Sequence, residues 1–219
     1  MILEGKNINI FGVQDKRMSV VYLHTFRKEG QKVWEQCKKL GVKAFVLIEI
    51  DGISWNDDMS PWPVDNFSPD NAAFTGKANE WLKKLTSNII PEVETPLNVC
   101  KRFIAGYSLA GLFALWSAYQ TDLFDGIISG SGSFWYPHFI DYVKEQKFPK
   151  QPESIYLSLG NKESLTKHPM LKTVRTNTQW LHDHYENQGI RTVFELNNGN
   201  HFMQSEWRMA KGIQWTLRN

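Results

Sequence analysis

The segment that contains Ser108 has the composition of a turn that exposes a reactive serine. It reads Gly-Tyr-Ser-Leu-Ala-Gly, follows an apolar strand-like run and precedes an apolar helix-like one. Small residues at Gly106, Ala110 and Gly111 permit a sharp strand-to-helix turn in which larger side chains would collide with the backbone. Ala110 stands where the strict Gly-x-Ser-x-Gly motif has its second glycine. The context predicts a nucleophile at Ser108; the alternative is a serine that only caps a helix.

A serine that acts at neutral pH needs a base to accept its proton and an acid to orient that base. His201 directly follows a strand-like run, within the turn Asn-Asn-Gly-Asn-His, and is the predicted base. Its alternative role is to cap the last helix. His24 ends an early strand-like run, and His138 and His168 stand beside prolines. These three positions are more typical of structural or pocket-lining histidines.

Glu163 is the predicted acid. The chain order serine, acid, histidine directs the search to the strand between Ser108 and His201. Glu163 comes just after the strand-like run 154–159. Asp183 and Glu195 compete for the role, although the first lies in a helix-like stretch and the second within a strand-like run. The alternative for Glu163 itself is a solvated carboxylate in a loop.

The anion that forms on an attacked carbonyl needs backbone N–H donors. One normally belongs to the residue after the nucleophile, and the other to the loop after an early strand. Leu109 follows Ser108, and the strand-like run 20–24 leads into Thr25 and Phe26. We therefore predict an oxyanion hole formed by Leu109 and Thr25, with Phe26 as the alternative second donor.

These residues must be positioned by an α/β fold. Short β-branched and aromatic runs alternate with stretches of helical periodicity, which predicts a mostly parallel central sheet flanked by helices. The predicted strands are 8–13, 18–24, 43–50, 102–107, 126–131, 154–159 and 192–196. The predicted helices are 28–40, 74–89, 170–185 and 203–217, and Pro91 is expected to end the second.

The stretch 51–71 is long, irregular and rich in Pro, Asp, Asn and Trp, and ordered loops of this length are commonly functional. We expect it to border the serine together with the segment 129–136. A wall for a planar acyl or sugar-linked group is predicted from Trp55, Trp62, Phe67, Trp135 and Tyr136. The alternative is that several of these aromatic residues belong to the core. His24 and Phe26 are also predicted to contact the substrate.

The composition excludes several other functions. The net charge is +2, and Lys and Arg are scattered among acids, so no basic stripe is available for nucleic acid. No apolar run approaches the roughly 20 residues of a membrane span, and no N-terminal stretch has the form of a secretion signal. We therefore expect a cytoplasmic protein without membrane contact. Its 219 residues predict one domain over 1–219.

No metal site is predicted. Cys37 and Cys100 lack the Cys-x-x-Cys spacing and are expected to be buried free thiols, with a disulfide between them left open. His182 and His184 are two positions apart, so a helix would direct them to different faces. Both are interpreted as helix-surface residues.

The assembled motifs resemble those of the "putative esterase" family of α/β-hydrolases, which includes esterase D-like, feruloyl-esterase-like and siderophore-esterase-like serine esterases. The resemblance covers nearly the whole chain, and its specific part is the turn around Ser108. Supporting matches are the stretches 20–26, 60–62, 129–135, 159–163 and 199–201. One departure is Thr25, where many relatives have glycine. The resemblance implies an α/β-hydrolase fold without a separate cap domain, an open site, and Ser108, Glu163 and His201 as triad.

The implied activity is hydrolysis of a small or medium carboxylic ester through an acyl-enzyme, without a cofactor. A peptidase or thioesterase of the same fold is an alternative, because the attacked carbonyls are chemically similar. A catalytically silent relative that serves as a binding module is the alternative from another class. A homodimer is possible.

Overall fold

The computed structural model of the chain describes residues 1–12, 16–65 and 73–218. The strands are β1 (Ile2–Leu3), β2 (Lys6–Phe11), β3 (Met18–His24), β4 (Phe45–Asp51), β5 (Pro63–Val64), β6 (Phe74–Thr75), β7 (Val99–Tyr107), β8 (Gly126–Gly130), β9 (Ser154–Gly160) and β10 (Arg191–Asn197). Within the described residues, eight of them form one sheet in the order β1-β2-β4-β3-β7-β8-β9-β10. The pairings β1–β2 and β2–β4 are antiparallel and the others in this sheet are parallel. The predicted α/β class is confirmed.

Helices cover both faces of this sheet. They are α1 (Gly30–Lys39), α2 (Trp55–Asp58), α3 (Ala78–Lys84), α4 (Ile90–Glu94), α5 (Leu109–Ser117), α6 (Phe139–Glu145), α7 (Val174–Asn187) and α8 (Ser205–Leu217). Successive residues of β3 alternate between two cores: Val21 contacts the cluster formed by α1 and α8, while Val20 and Tyr22 belong to the cluster that includes α3, α5 and α7. Because both faces are covered, β4, β8 and β9 are buried at every position, which explains why apolar residues occupy adjacent positions in them, as at 45–48 in β4.

All seven predicted strands are present, with ends that shift by a few residues. Val13, the end of the first prediction, lies outside the described residues. The additional strands β1, β5 and β6 are two residues long, too short to give a periodic pattern.

Pro91 does not end the second helix, contrary to the prediction. After α3 the chain forms a π-helical turn over Leu85–Ile89 and continues as α4, with Pro91 in its first turn. A proline interrupts a helix because it lacks an N–H and its ring strikes the carbonyl four residues earlier. The wider π turn changes that local register, and the first turn of α4 needs no N–H from the proline.

The two cysteines differ in exposure. Cys37 is buried in α1 as predicted, but Cys100 is exposed, and both are free. The prediction for Cys100 was wrong because the first positions of β7 extend to the surface and only residues 103–106 of that strand are buried. Among the helices of the described residues, none has the length and apolar character that crossing a membrane requires.

Candidate active site

Ser108 occupies a strained turn between β7 and α5. Its φ of 59° and ψ of −123° lie outside the regions that a non-glycine residue prefers. A Cβ added to Gly106 would lie 2.4 Å from the backbone carbonyl of Ala110, so a side chain at position 106 would strike the first turn of α5. Glycine at this position therefore allows the helix to begin directly after the serine, as the sequence predicted.

The structure brings the three predicted triad residues into one hydrogen-bonded line. The Nε2 atom of His201 lies 3.0 Å from the Oγ atom of Ser108. On the other side of the ring, Nδ1 lies 2.7 Å from Oε2 of Glu163. This is the arrangement in which an imidazole can take a proton from the serine while a carboxylate holds the ring.

The sheet explains why these residues meet. Ser108 follows β7, Glu163 follows β9 and His201 follows β10, and these strands all run parallel within the sheet. Parallel strands end at the same edge of a sheet, so their following loops converge there. This edge is the usual position of ligand sites in open α/β sheets.

Glu163 is held as an anion. Its side chain is only 5% exposed, and burial alone would raise the pKa of its carboxyl. The hydrogen bond and charge of His201, with further bonds from Ser131 and the Gly160 N–H, outweigh burial and hold the pKa below its ordinary value. Gly160 and Ser131 both donate to Oε1, at 2.6 Å and 2.7 Å, which leaves Oε2 for His201.

The competing acids are engaged elsewhere. Asp183 is exposed on α7 and bonds to His182 and Gln179. Glu195 accepts a hydrogen bond from Tyr156 at 2.6 Å and pairs with Lys211. Neither carboxylate contacts His201, so the geometry favours Glu163 among the three candidates.

The predicted second oxyanion donor, Thr25, is wrong. Its N–H donates to the carbonyl of Ile50 at 3.0 Å, which extends the pairing of β3 with β4 by one residue. Phe26, the alternative donor, lines the cavity beside Ser108, and its N–H donates to the carboxylate of Glu29. Leu109, the predicted first donor, is the first residue of α5, where N–H groups lack an intrahelical acceptor.

A cavity of about 350 Å³ opens beside Ser108 and His201. Its lining is mainly apolar, and it is formed by Leu23, His24, Thr25, Phe26, Arg27, Glu29, Val33, Trp55, Tyr107, Ser108, His201, Phe202, Ser205, Glu206 and Met209. This volume lies at the lower end of the range for small-molecule sites.

Comparison with known proteins gives a family for the chain. Residues 24–210 match the model of the Esterase family, described as "Putative esterase". The chain belongs to this family. Its sequence is also 26% identical to the uncharacterized protein YbbA of Bacillus subtilis over 150 residues. That match spans 66% of this chain and 60% of YbbA.

Several solved structures share the fold of this chain. The siderophore hydrolase EstA from Aspergillus nidulans superimposes with a TM-score of 0.71 and 18% identity, over 96% of this chain and 89% of its own. An IroE-like serine hydrolase from Shewanella oneidensis gives 0.74 and 16% identity, over 91% and 70% of the two chains. The BES protein of Bacillus cereus gives 0.71 and 18%, over 98% and 91%. These likenesses identify the α/β-hydrolase fold.

The predicted aromatic wall of this esterase-family chain is only partly at the cavity. Phe26 and Trp55 line it and contact each other edge to face, with ring centroids 4.9 Å apart. Trp62, Trp135 and Tyr136 do not line it.

Those three residues form part of an aromatic cluster instead. The Trp62 indole donates to the carbonyl of Pro137 at 3.0 Å, and the Tyr136 hydroxyl donates to the carbonyl of Trp62 at 2.6 Å. The ring of Trp135 lies beside those of Phe74 and Tyr136. These contacts fasten the 51–65 part of the predicted loop to the body of the protein. Phe67 lies outside the described residues.

His24 borders the cavity, but its ring belongs to the core. It is 1% exposed, accepts a hydrogen bond from the Trp81 indole at 3.2 Å and lies edge-on to Phe113. Burial lowers the pKa of His24 to about 3, so the ring is neutral at ordinary pH. The predicted contact of its side chain with substrate is therefore corrected to a structural role.

Sequence reasoning missed three polar residues behind the triad: Tyr107, Ser131 and Arg208. Arg208 is 0% exposed and bonds to Glu163, to both hydroxyls and to the loop that carries His201. Its helix was predicted from the periodicity of apolar residues, and that pattern does not identify a buried arginine. Another polar group, His182, Asp183 and Glu186 on α7, has ligand atoms within 4.8 Å of one another but does not line the cavity.

Proposed function

We propose that this chain is a serine carboxylic ester hydrolase that cleaves small or medium esters through an acyl-enzyme on Ser108. The observation that carries the proposal is the line of contacts from Ser108 Oγ to His201 Nε2 and from His201 Nδ1 to Glu163, at 3.0 Å and 2.7 Å. Membership of the esterase family supports the same reaction class.

In the first half of the reaction, Ser108 Oγ attacks the ester carbonyl carbon while His201 Nε2 takes the hydroxyl proton. The carbonyl π electrons move to oxygen and form a tetrahedral oxyanion. His201, now an imidazolium stabilised by Glu163, returns the proton to the departing alcohol oxygen as the carbon–oxygen bond breaks. The products of this half are the free alcohol and an acyl ester on Ser108.

In the second half, His201 removes a proton from water as the water oxygen attacks the acyl carbon. Collapse of the second tetrahedral intermediate releases the carboxylic acid, and His201 restores the proton to Ser108. Glu163 stays ionised throughout and keeps the imidazole proton on Nδ1. These steps use side chains and water alone.

For the oxyanion hole we assign the N–H groups of Leu109 and Phe26. Leu109 begins α5, and the free N–H groups of a helix N-terminus favour an anion. The N–H of Phe26 donates to the Glu29 carboxylate at 3.0 Å, which supports its assignment as a donor to an anion. Catalysis therefore requires the substrate oxygen to replace Glu29.

A fluorophosphonate tests the nucleophile directly. We expect intact-mass spectrometry to find one adduct on the wild type, at Ser108, and no adduct on Ser108→Ala or His201→Ala. Ser133→Ala is the matched control, because its hydroxyl lies 3.5 Å from the Ser108 hydroxyl but not next to His201 Nε2. The control should keep the adduct. A folded wild type without an adduct would favour the silent binding module.

A panel of matched substrates tests the reaction class. The wild type is given ester, thioester and amide derivatives of the same acyl group, and we expect the ester to give the highest kcat/KM and the amide not to be hydrolysed. A higher kcat/KM for the amide or the thioester would instead assign the chain as a peptidase or a thioesterase.

Three sequence predictions complete the proposal: one domain over 1–219, a cytoplasmic location and a possible homodimer.

A further inference from the structure

Arg208 is a charged side chain in the interior of the protein. It lies on α8, is 0% exposed, and its Nε atom has no hydrogen-bond partner among the described residues. A buried charge and an unsatisfied donor both cost stability. Within the described part of the chain, its ion-pair partner is Glu163, at 3.0 Å. A function at the triad would explain why an arginine occupies this position.

The two terminal nitrogens of Arg208 contact two different parts of the site. One nitrogen, Nη1, donates to Oε1 of Glu163 at 3.0 Å and lies within hydrogen-bond distance of the Tyr107 and Ser131 hydroxyls. The other nitrogen, Nη2, donates to the carbonyls of Asn198 and Asn200, at 3.2 Å and 3.0 Å. A single planar group thus fixes the acid and the turn that leads into His201.

Tyr107 closes the same network from the side of the nucleophile. Its hydroxyl donates to the carbonyl of His201 at 2.8 Å, and Tyr107 immediately precedes Ser108. Burial raises the pKa of Tyr107 to about 12, so the hydroxyl keeps its proton at neutral pH. The segments that carry Ser108, Glu163 and His201 are therefore linked through neighbouring hydrogen bonds.

We propose that Arg208 is a positioning residue that sets both the geometry and the basicity of the triad, through Oε1 of Glu163 and the carbonyls of the His201 turn. This inference rests on the proposed triad. The guanidinium is permanently charged, so it stabilises ionised Glu163 and disfavours a second positive charge on His201. Removal of the charge should therefore make His201 harder to deprotonate.

The other ionisable groups around His201 are few in the described part of the chain. Glu163 faces Nδ1, and Tyr107 lies against the ring with centroids 5.4 Å apart. Arg27, Glu29 and Glu206 line the cavity that His201 also borders. Because these five groups are unchanged in an Arg208 variant, a change in the pH profile reports on the guanidinium.

The test compares Arg208→Gln with Arg208→Lys, using kcat/KM for a neutral activated ester as a function of pH. We expect Arg208→Gln to lower kcat/KM by roughly 10- to 100-fold, as changes behind a catalytic group commonly do. The acidic limb of its pH profile should also move to higher pH. Arg208→Lys keeps the charge, so the acidic limb of its pH profile should stay in place. Its kcat/KM should still fall, because the hydrogen bonds of the guanidinium to the turn carbonyls are lost.

Arg102→Lys is the matched control. Arg102 is an ion-paired arginine that bonds to Glu94 near the opposite end of β7. The Arg102→Lys variant should alter neither the acidic limb of the pH profile nor kcat/KM. If Arg208→Gln is folded and has the wild-type limb, the role in basicity is overturned; if Arg208→Lys retains full kcat/KM, the role in geometry is overturned.

Two milder variants decide the question if Arg208→Gln does not fold. Ser131→Ala and Tyr107→Phe each delete one hydroxyl of the network, and each should be non-additive with Arg208→Lys in kcat/KM. Strict additivity in both pairs would overturn the network. Labelling of the wild type by a fluorophosphonate separates the two proposals. If the wild type is not labelled, the proposed function fails. If the wild type is labelled but the Arg208 variants keep its kcat/KM and pH profile, this inference alone is rejected.

Discussion

The Glu29 carboxylate accepts a hydrogen bond from the N–H of Phe26 at 3.0 Å, so an anion occupies the donor that we assign to the oxyanion. The same carboxylate oxygen also accepts the N–H of Arg27, at 2.9 Å. An ester oxygen must therefore compete with an acidic side chain for this donor. We expect this competition to lower kcat/KM.

Glu29→Gln should raise kcat/KM for a neutral ester by roughly fivefold. A neutral acceptor forms a hydrogen bond about 1 kcal/mol weaker than a carboxylate does, so the substrate oxygen displaces it more easily. The amide oxygen can still bond to one N–H and keep the turn in place. Steady-state kinetics with an uncharged activated ester would measure the change.

Glu206→Gln is the control for this effect. Glu206 lines the same cavity but bonds to Ser205 and Lys32 rather than to the backbone of the turn. It should leave kcat/KM within twofold or so of the wild type, as expected for a change with no contact to the donors. A loss of activity in Glu29→Gln would mean that the carboxylate orders the turn and does not compete with substrate.

Glu163→Gln should lower kcat by roughly 10⁴-fold, because the surrounding donors dictate how the amide is oriented. Gly160, Ser131 and Arg208 all donate to Oε1, so the amide oxygen must take that position. The amide nitrogen then faces Nδ1 of His201 and donates to it. This forces the imidazole proton onto Nε2, where it prevents the ring from accepting the proton of Ser108.

Single-turnover kinetics with an activated ester would measure this loss. Glu195→Gln is the matched control, since Glu195 also accepts a side-chain hydroxyl, that of Tyr156, where Glu163 accepts that of Ser131, but Glu195 does not contact His201. Acylation by Glu163→Gln at a rate near that of the wild type would contradict the assignment of the acid.

The same carboxylate should make stability depend on pH in the acidic range. The pKa of Glu163 is lower in the folded protein than its ordinary value of 4.5, chiefly because the bond and charge of His201 overcome burial. A depressed pKa stabilises the fold above the unfolded value, and this contribution is lost as pH falls through the folded pKa. The free energy of unfolding should thus decline below pH 4.5.

Urea titrations between about pH 3 and pH 7 would measure this decline. In Glu163→Gln the position cannot ionise, so the slope below the ordinary pKa should be shallower than in the wild type. The slope of Asp183→Asn provides a comparison, because Asp183 is exposed and its neighbours also lower the pKa of its carboxyl. An identical slope in wild type and Glu163→Gln would contradict the prediction.

The main residues of the site could be predicted because strand ends in a parallel sheet converge. Ser108, Glu163 and His201 each follow a recognisable strand, and the structure brings them together. Thr25 could not be judged in the same way. Whether its N–H is free depends on one more residue of β3 pairing with β4, and strand ends are poorly defined by an apolar pattern.

Arg208 was not predictable because apolar periodicity selected Trp207 as a core position of α8. In the structure Arg208 and Met209 are buried and Trp207 is half-buried, so the inward face includes a charge. Only the three-dimensional position of Glu163 explains why that charge is tolerated. A buried ion pair of this kind joins residues 45 positions apart, beyond any local pattern.

Phe26 at the cavity and Trp62 in the aromatic cluster should respond differently to substitution, which separates an effect on substrate binding from an effect on folding. Phe26 lines the cavity and is 53% exposed, so Phe26→Ala should raise KM for an apolar ester roughly fivefold with little loss of stability. Trp62 lies outside the cavity, and Trp62→Phe removes its hydrogen bond to Pro137. That variant should lose about 1–3 kcal/mol of unfolding free energy and keep its KM.

Urea unfolding and steady-state kinetics on both variants provide the measurement. Phe26→Ala keeps the backbone N–H that we assign to the oxyanion, so kcat should change less than KM. The two variants together give opposite patterns, because one side chain contacts the substrate space and the other fastens a loop. A raised KM in Trp62→Phe would show that the substrate extends beyond the cavity and would restore the wider aromatic wall predicted from the sequence.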